Sequence, residues 1–345
     1  MAKGPNYAGD IFLQAEGAHF AKITHSLFSV KDAMNYKVFH CATVYKVKSW
    51  GFNFIQNRRL LTTQNRRLLT TQSRQGYKPH KHNITNMPKL HFLVFADDHL
   101  GKYGLNNFTN MAHNLIEQAH EFNLFSKIHF YTAQSLFEKY PEYLKAHGEY
   151  INSNFQKSIW KGYGYWIWKP FLIWKTLCEI DEGDVLLYLD AKCSLHVSGK
   201  DRFMEYLDIL DKSENKTVLV QYTNPIKDWC KMDTIKYFGV EKLVLEDNAN
   251  EIAPGIILTS STEKNKIFFK LFYDESCNYH NIDDSPSISP NIPSFKEHRH
   301  DQTILSILAI KFYASSILLT SFKEFYLPEN DKSPITIHSN RGLIT

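Results

Sequence analysis

From Leu90 onward the chain alternates short apolar runs with stretches of helical period, and that alternation limits its fold more than any other feature. Leu90–Ala96 (LHFLVFA) reads as a strand. Asn107–Phe122 sets Met111, Leu115, Ile116 and Ala119 on one helical face. A strand over Lys127–Tyr131 and a helix over Ser135–Ala146 follow. A helix over Pro170–Ile180 opens on a proline, which suits a first turn. Asp184–Leu189 (DVLLYL) is a buried strand ending at Asp190. The pattern then predicts helices over Arg202–Leu210, Met232–Phe238 and Glu263–Tyr273, with strands over Thr217–Gln221 and Gly255–Leu258. The greasy run Ile304–Thr320 reads as a buried helix and a strand. Strands and helices in this order predict an α/β sheet covered on both faces. Ligands of such sheets sit at the carboxyl ends of the strands, which marks Ala96–Asp98, Asp190–Cys193 and Tyr222–Asn224.

Composition excludes other classes. With 345 residues, 43% of them hydrophobic, the chain can bury one large core or two modest ones, so general disorder is excluded. Five cysteines without a C-x-x-C pair argue against a disulfide scaffold or a zinc finger, and for a reducing compartment. Ile304–Thr320 is broken by Ser306, Lys311, Ser315 and Ser316, too polar a run to span a bilayer. The N-terminus shows no leader pattern, so a soluble or peripheral cytoplasmic protein is expected. Residues 1–90 hold 14 Lys/Arg against 3 Asp/Glu, whereas the remainder is net acidic. Residues 1–89 therefore read as a basic extension, with NRRLLTTQ repeated at 57–64 and 65–72, attached to a body over 90–345. Such an arm suits an anionic membrane surface; the acidic body lacks a nucleic-acid motif, and no nucleic-acid partner is expected.

Two segments concentrate chemistry. Gly162–Cys193 places Lys169 near a helix N-terminus, where anions are favoured, and Asp190 at a strand tip, where a carboxylate can hold a hard cation. The same residues also read as an aromatic core with Asp190 closing a turn. In His298-Arg299-His300-Asp301-Gln302, the histidines suit acid, base or metal-ligand roles and Arg299 suits phosphate. Asp301 also fits a plain N-cap. Trp229, Lys231 and Asp233 near a strand end, and Asp283 and Asp284 in a Ser/Pro-rich loop, are weaker candidates that equally suit a helix start and solvated loop acids. The chain has neither a phosphate-binding P-loop motif nor a G-x-S-x-G elbow, so P-loop NTPases and α/β-hydrolases are excluded.

At this point the motifs resemble a known group. A glycine–aromatic run ending in Trp168-Lys169-Pro170, then a helix, then Gly183-Asp184…Tyr188-Leu189-Asp190-Ala191, is similar to a set of bacterial and viral glycosyltransferases. The likeness continues through DWCKMD (228–233), APGIIL (253–258), NIDDSPS (281–287) and HRHDQTILSIL (298–308). The Asp-Gln heading an apolar helix resembles glycosyltransferase family 8. The resemblance implies a GT-A-like fold: a mixed, mostly parallel sheet with helices on both faces. It implies transfer of a sugar from a UDP- or GDP-sugar to a glycan or lipid-linked acceptor in surface polysaccharide synthesis, at the inner face of a membrane. Asp301, Gln302 and Asp190 would be catalytic. Lys169, Trp166, Tyr165, Lys192, Arg299 and Asp97 would bind the donor, and Trp229, Lys231, Asp233 and Asp284 the acceptor. Asp190 and His300 would hold Mn²⁺ or Mg²⁺. The sequence departs from the family's Asp-x-Asp at Lys192, and one carboxylate in place of two weakens a metal site. A GT-A-like body that binds without turnover, or a nucleotidyltransferase, are the alternatives; for the latter, ADDHLGKYG (96–104) is a poor phosphate loop.

Overall fold

In the computed structural model the described residues are 88–98, 107–157, 159, 161–247, 249–313, 317–318, 323–326 and 333–337. The basic repeat-bearing extension, apart from Pro88 and Lys89, lies outside them. The chain runs through β1 (Leu90–Phe95), α1 (Phe108–Phe122), β2 (Phe125–Tyr131), α2 (Ala133–Lys139), α3 (Pro141–Gln156), α4 (Trp168–Glu179) and β3 (Val185–Leu189). It continues through β4 (Cys193–Leu195), α5 (Lys200–Lys212), β5 (Thr217–Pro225), β6 (Asn250–Ser260), α6 (Glu263–Ser276), α7 (His300–Phe312), β7 (Ile317–Leu318) and β8 (Ile335–Ile337). The main sheet has the order β2-β1-β3-β6-β5-β7, and β4 pairs with β8 in a second, two-stranded sheet. Only β6 runs against its neighbours, so the sheet is mixed and mostly parallel.

Successive strand residues point to opposite faces and thereby divide the interior in two. Leu93, Phe95, Leu186 and Tyr188 face a core shared with α2, α3, α4, α6 and α7. Phe92, Val94, Leu187 and Leu189 face the other, shared with α1 and α5. Helices thus cover both faces, as the alternation predicts. Amphipathic α1 buries Ala112, Leu115, Ala119 and Phe122. By contrast α7 buries every residue from Thr303 to Ile310, as a largely apolar helix does, and the hydroxyls of Thr303 and Ser306 are bonded to backbone carbonyls.

Three expectations need correction. The helix expected over Ser135–Ala146 is two helices, α2 and α3, meeting at Tyr140. Pro141 begins the second because its ring disfavours helical geometry at the residue before it. The strand expected over Gly255–Leu258 is the 11-residue β6, whose polar ends hid its length. The plain N-cap reading of Asp301 also fails. Asp301 is the second residue of α7, whose start has no side-chain cap, and its carboxylate faces a lysine.

Candidate functional site

β3 delivers Asp190 to its carboxyl end, on the edge of the face covered by α4 and α7. The Asp190 amide donates to the Gly255 carbonyl of antiparallel β6 at 3.0 Å. Two residues back on the same face, the Tyr188 hydroxyl donates to Asp190 Oδ1 at 2.6 Å. Lys169, in the first turn of α4, points inward with its side chain only 2% exposed. Its Nζ lies 3.2 Å from Asp190 Oδ1 and 2.7 Å from Asp301 Oδ2. The strand tip and the head of α7 therefore converge on one buried ammonium. Burial alone would push Asp190 up, but Lys169, Lys192 and the Tyr188 hydroxyl hold it below the usual carboxylate range. Burial keeps Asp301 raised in spite of Lys169. Burial also disfavours charge on Lys169, yet Asp190 and Asp301 outweigh it and raise its pKa. Removing one partner from such a cluster costs about 3–5 kcal/mol, because an uncompensated charge stays buried. Lys192 is half-exposed, with Nζ 3.9 Å from Asp190 Oδ2.

Ahead of α4 the backbone takes an unusual path. Gly162, Tyr163, Gly164, Tyr165 and Trp166 all have positive φ, between 51° and 86°, forming a left-handed turn. Each non-glycine residue in that conformation costs roughly 1–2 kcal/mol. The turn is held by Trp166 N–H and Trp168 Nε1–H, both donating to the Gly162 carbonyl at 2.9 Å. A side chain at Gly162 has no room, since a Cβ would lie 2.3 Å from the Trp166 ring. The turn presses Trp166 onto His300 (centroids 5.2 Å apart, 28°) and buries Tyr165 at 5.1 Å from the same ring. His300 itself has φ +51° at the head of α7. Its Nδ1 donates to the Ile282 carbonyl at 2.7 Å, and Nε2 faces Asp284 Oδ1 at 3.5 Å. Lys161 also reaches Asp284, at 3.1 Å. Strained backbone on two facing segments is typical of a functional site.

The other predicted residues divide between this region and its supports. Gln302 donates through Nε2 to Glu251 Oε2 at 2.9 Å, tying α7 to β6. Arg299 lies over the Trp229 ring at 4.3 Å and pairs with Glu297 at 2.8 Å. Lys231 is buried and donates to the carbonyls of Asp283 (3.1 Å) and Ser285 (3.0 Å). Asp233 accepts from the amides of Ile288 (2.6 Å) and Ser289 (2.8 Å) and from His280 (2.9 Å). Both therefore anchor the Ser/Pro-rich loop that presents Asp284. Asp97 accepts from the Ala133 amide at 3.0 Å, fixing the start of α2 beyond β2. His298 is equally structural, receiving the Lys231 amide at 3.3 Å and donating to the Asn281 carbonyl at 2.8 Å.

No family model and no curated protein matches the chain. Among the solved structures similar to it, two align over most of their length. One is mouse xyloside xylosyltransferase 1 in its apo form, with 10% identity and a TM-score of 0.36, covering 75% of this chain and 99% of that one. The other is a glycosyltransferase involved in the glycosylation of the major capsid of PBCV-1, with 9% identity and the same TM-score of 0.36, covering 73% and 96%.

The functional candidate that sequence reasoning missed is Glu251. Its side chain is buried, and burial pushes its carboxyl up to about 8, with Arg299 opposing and Glu297 and Asp301 adding to the rise. The available signal was an acid at the edge of an otherwise apolar stretch, Ile252 to Leu258, whose polar end disguises the strand. The expected metal site fits poorly. Tyr188 and Lys169 already engage Asp190 Oδ1, Lys169 takes Asp301 Oδ2, and His300 turns to Asp284. Among the described residues no group of three or more His, Cys, Asp or Glu is arranged to hold a metal ion. Nor is any helix there long and apolar enough to cross a membrane.

Proposed function

We propose that the chain is a glycosyltransferase of the GT-A type, moving a sugar from a UDP- or GDP-linked donor to a glycan or lipid-linked acceptor of a surface polysaccharide. One observation carries the reading: Asp190 at the end of β3 and Asp301 at the head of α7 meet at a shared ammonium, 3.2 and 2.7 Å away. The two motifs on which the sequence resemblance rests thus form one site at the carboxyl edge of the sheet, where α/β folds bind ligands. Lys192, exposed beside Asp190, is the charge available to a diphosphate and to the negative charge that grows on it as the sugar departs. Trp166 on His300 offers a ring face for base or sugar. Gln302, held by Glu251, follows Asp301 at the head of α7. Rate comes from holding donor and acceptor in line and from stabilising the leaving group. The basic residues 1–89 keep the enzyme at an anionic membrane that carries its acceptor.

The test is donor hydrolysis or transfer with UDP- and GDP-sugars, comparing wild type with Asp190→Asn and Asp301→Asn. Both variants lose turnover on this reading, and wild-type rates in both end it. The closure of Lys169 between its carboxylates also favours a second reading, a body that binds nucleotide sugars without turning them over. Calorimetric binding without any hydrolysis would select that reading, and turnover would exclude it.

A further inference from the structure

We infer that the Lys169 ammonium is the resident cation of this site, standing between Asp190 and Asp301 where a divalent ion would otherwise bridge them. The inference rests on the transferase reading only for the ligand that follows from it: a nucleoside diphosphate bound with no metal between it and the protein.

Position is the first argument. Nζ is within 3.2 Å of both carboxylates, and the rings of Trp168 and Tyr188 lie 5.9 and 5.7 Å from it. The lysine side chain is only 2% exposed, and Trp168 beside it is stacked on Phe95 at 3.9 Å and bonded to the Gly162 carbonyl. A hydrated Mg²⁺ or Mn²⁺ needs about six oxygen ligands. Here the ammonium fills the gap, and Tyr188 occupies one further lone pair of Asp190. Charge is the second argument. Asp190 and Asp301 are balanced by Lys169 and Lys192, so a dication would add to a cluster already neutral. The sequence departure at Lys192 fits the same logic: a second acid at that position would serve a metal that Lys169 displaces.

Mn²⁺ titration of the full chain, read by the electron paramagnetic resonance of free Mn²⁺ without nucleotide, tests this apart from any turnover. Wild type is expected to show no saturable binding. Lys169→Ala, which vacates the space and leaves both carboxylates, is expected to bind one Mn²⁺, and adding Asp190→Asn is expected to abolish it. One Mn²⁺ bound by wild type and lost in Asp190→Asn overturns the inference, and that measurement needs no folded Lys169 variant. A folded Lys169→Ala chain that binds no Mn²⁺ also overturns it. Mn²⁺ binding is measured independently of sugar transfer, so a failed transferase assay would not change its outcome.

Discussion

Glu251→Gln isolates one buried carboxyl, and the structure sets both the sign and the size of its effect. In the folded chain burial lifts this group from its ordinary 4.5 to about 8. The unfolded chain therefore ionises from about pH 4.5, while the native chain keeps its proton until about pH 8. Over that window the native state binds more protons, so wild-type stability falls as pH rises and the loss levels off above about pH 8. At about 1.4 kcal/mol per pKa unit the whole loss is about 5 kcal/mol, a large part of the 5–15 kcal/mol typical of a domain. Glutamine has nothing to titrate, and its carbonyl oxygen still accepts the bond from Gln302. Urea unfolding followed by tryptophan fluorescence, at intervals from about pH 4.5 to about pH 9, measures the difference. The variant should match wild type at the acid end and exceed it by several kcal/mol at about pH 8. Stability curves that stay parallel across the range would refute the buried, protonated state of Glu251.

Two glycines separate backbone strain from crowding. Gly162→Ala puts a Cβ 2.3 Å from the Trp166 ring at φ +59°, and should cost at least about 3 kcal/mol. Gly183→Ala, at φ +88° with open space around it, should cost only about 1 kcal/mol, and equal losses in urea midpoints would contradict the packed left-handed turn. Gly255→Ala crowds Asp190 Oδ2 from β6, so thermal melts should register about 1–3 kcal/mol of lost stability together with a fall in donor hydrolysis. Unchanged values in both would show that β6 does not press on the carboxylate.

Much of this protein is local. Short apolar runs placed β1, β3 and β5, because a strand covered on both faces is apolar throughout, and a period of 3.6 placed the helices between them by showing which face must leave water. The tip of DVLLYLD and the Asp-Gln heading a largely apolar helix were visible for the same reason. The partners were not. That β6 reverses against β3 and β5 depends on long-range pairing, which strand periodicity does not encode. A lysine on a helix N-terminus reads as an anion ligand; only the meeting of α4, β3 and α7 turns it inward onto Asp190 and Asp301. Lys231 and Asp233 read as contacts for a substrate until the fold wraps the 283–289 loop around them. The sequence alone determined the alternation of strands and helices, and put Asp190 at a strand tip and Asp301 at the head of a helix. Tertiary structure decided which charges meet and which carboxyl stays protonated, because those depend on desolvation and on neighbours distant along the chain.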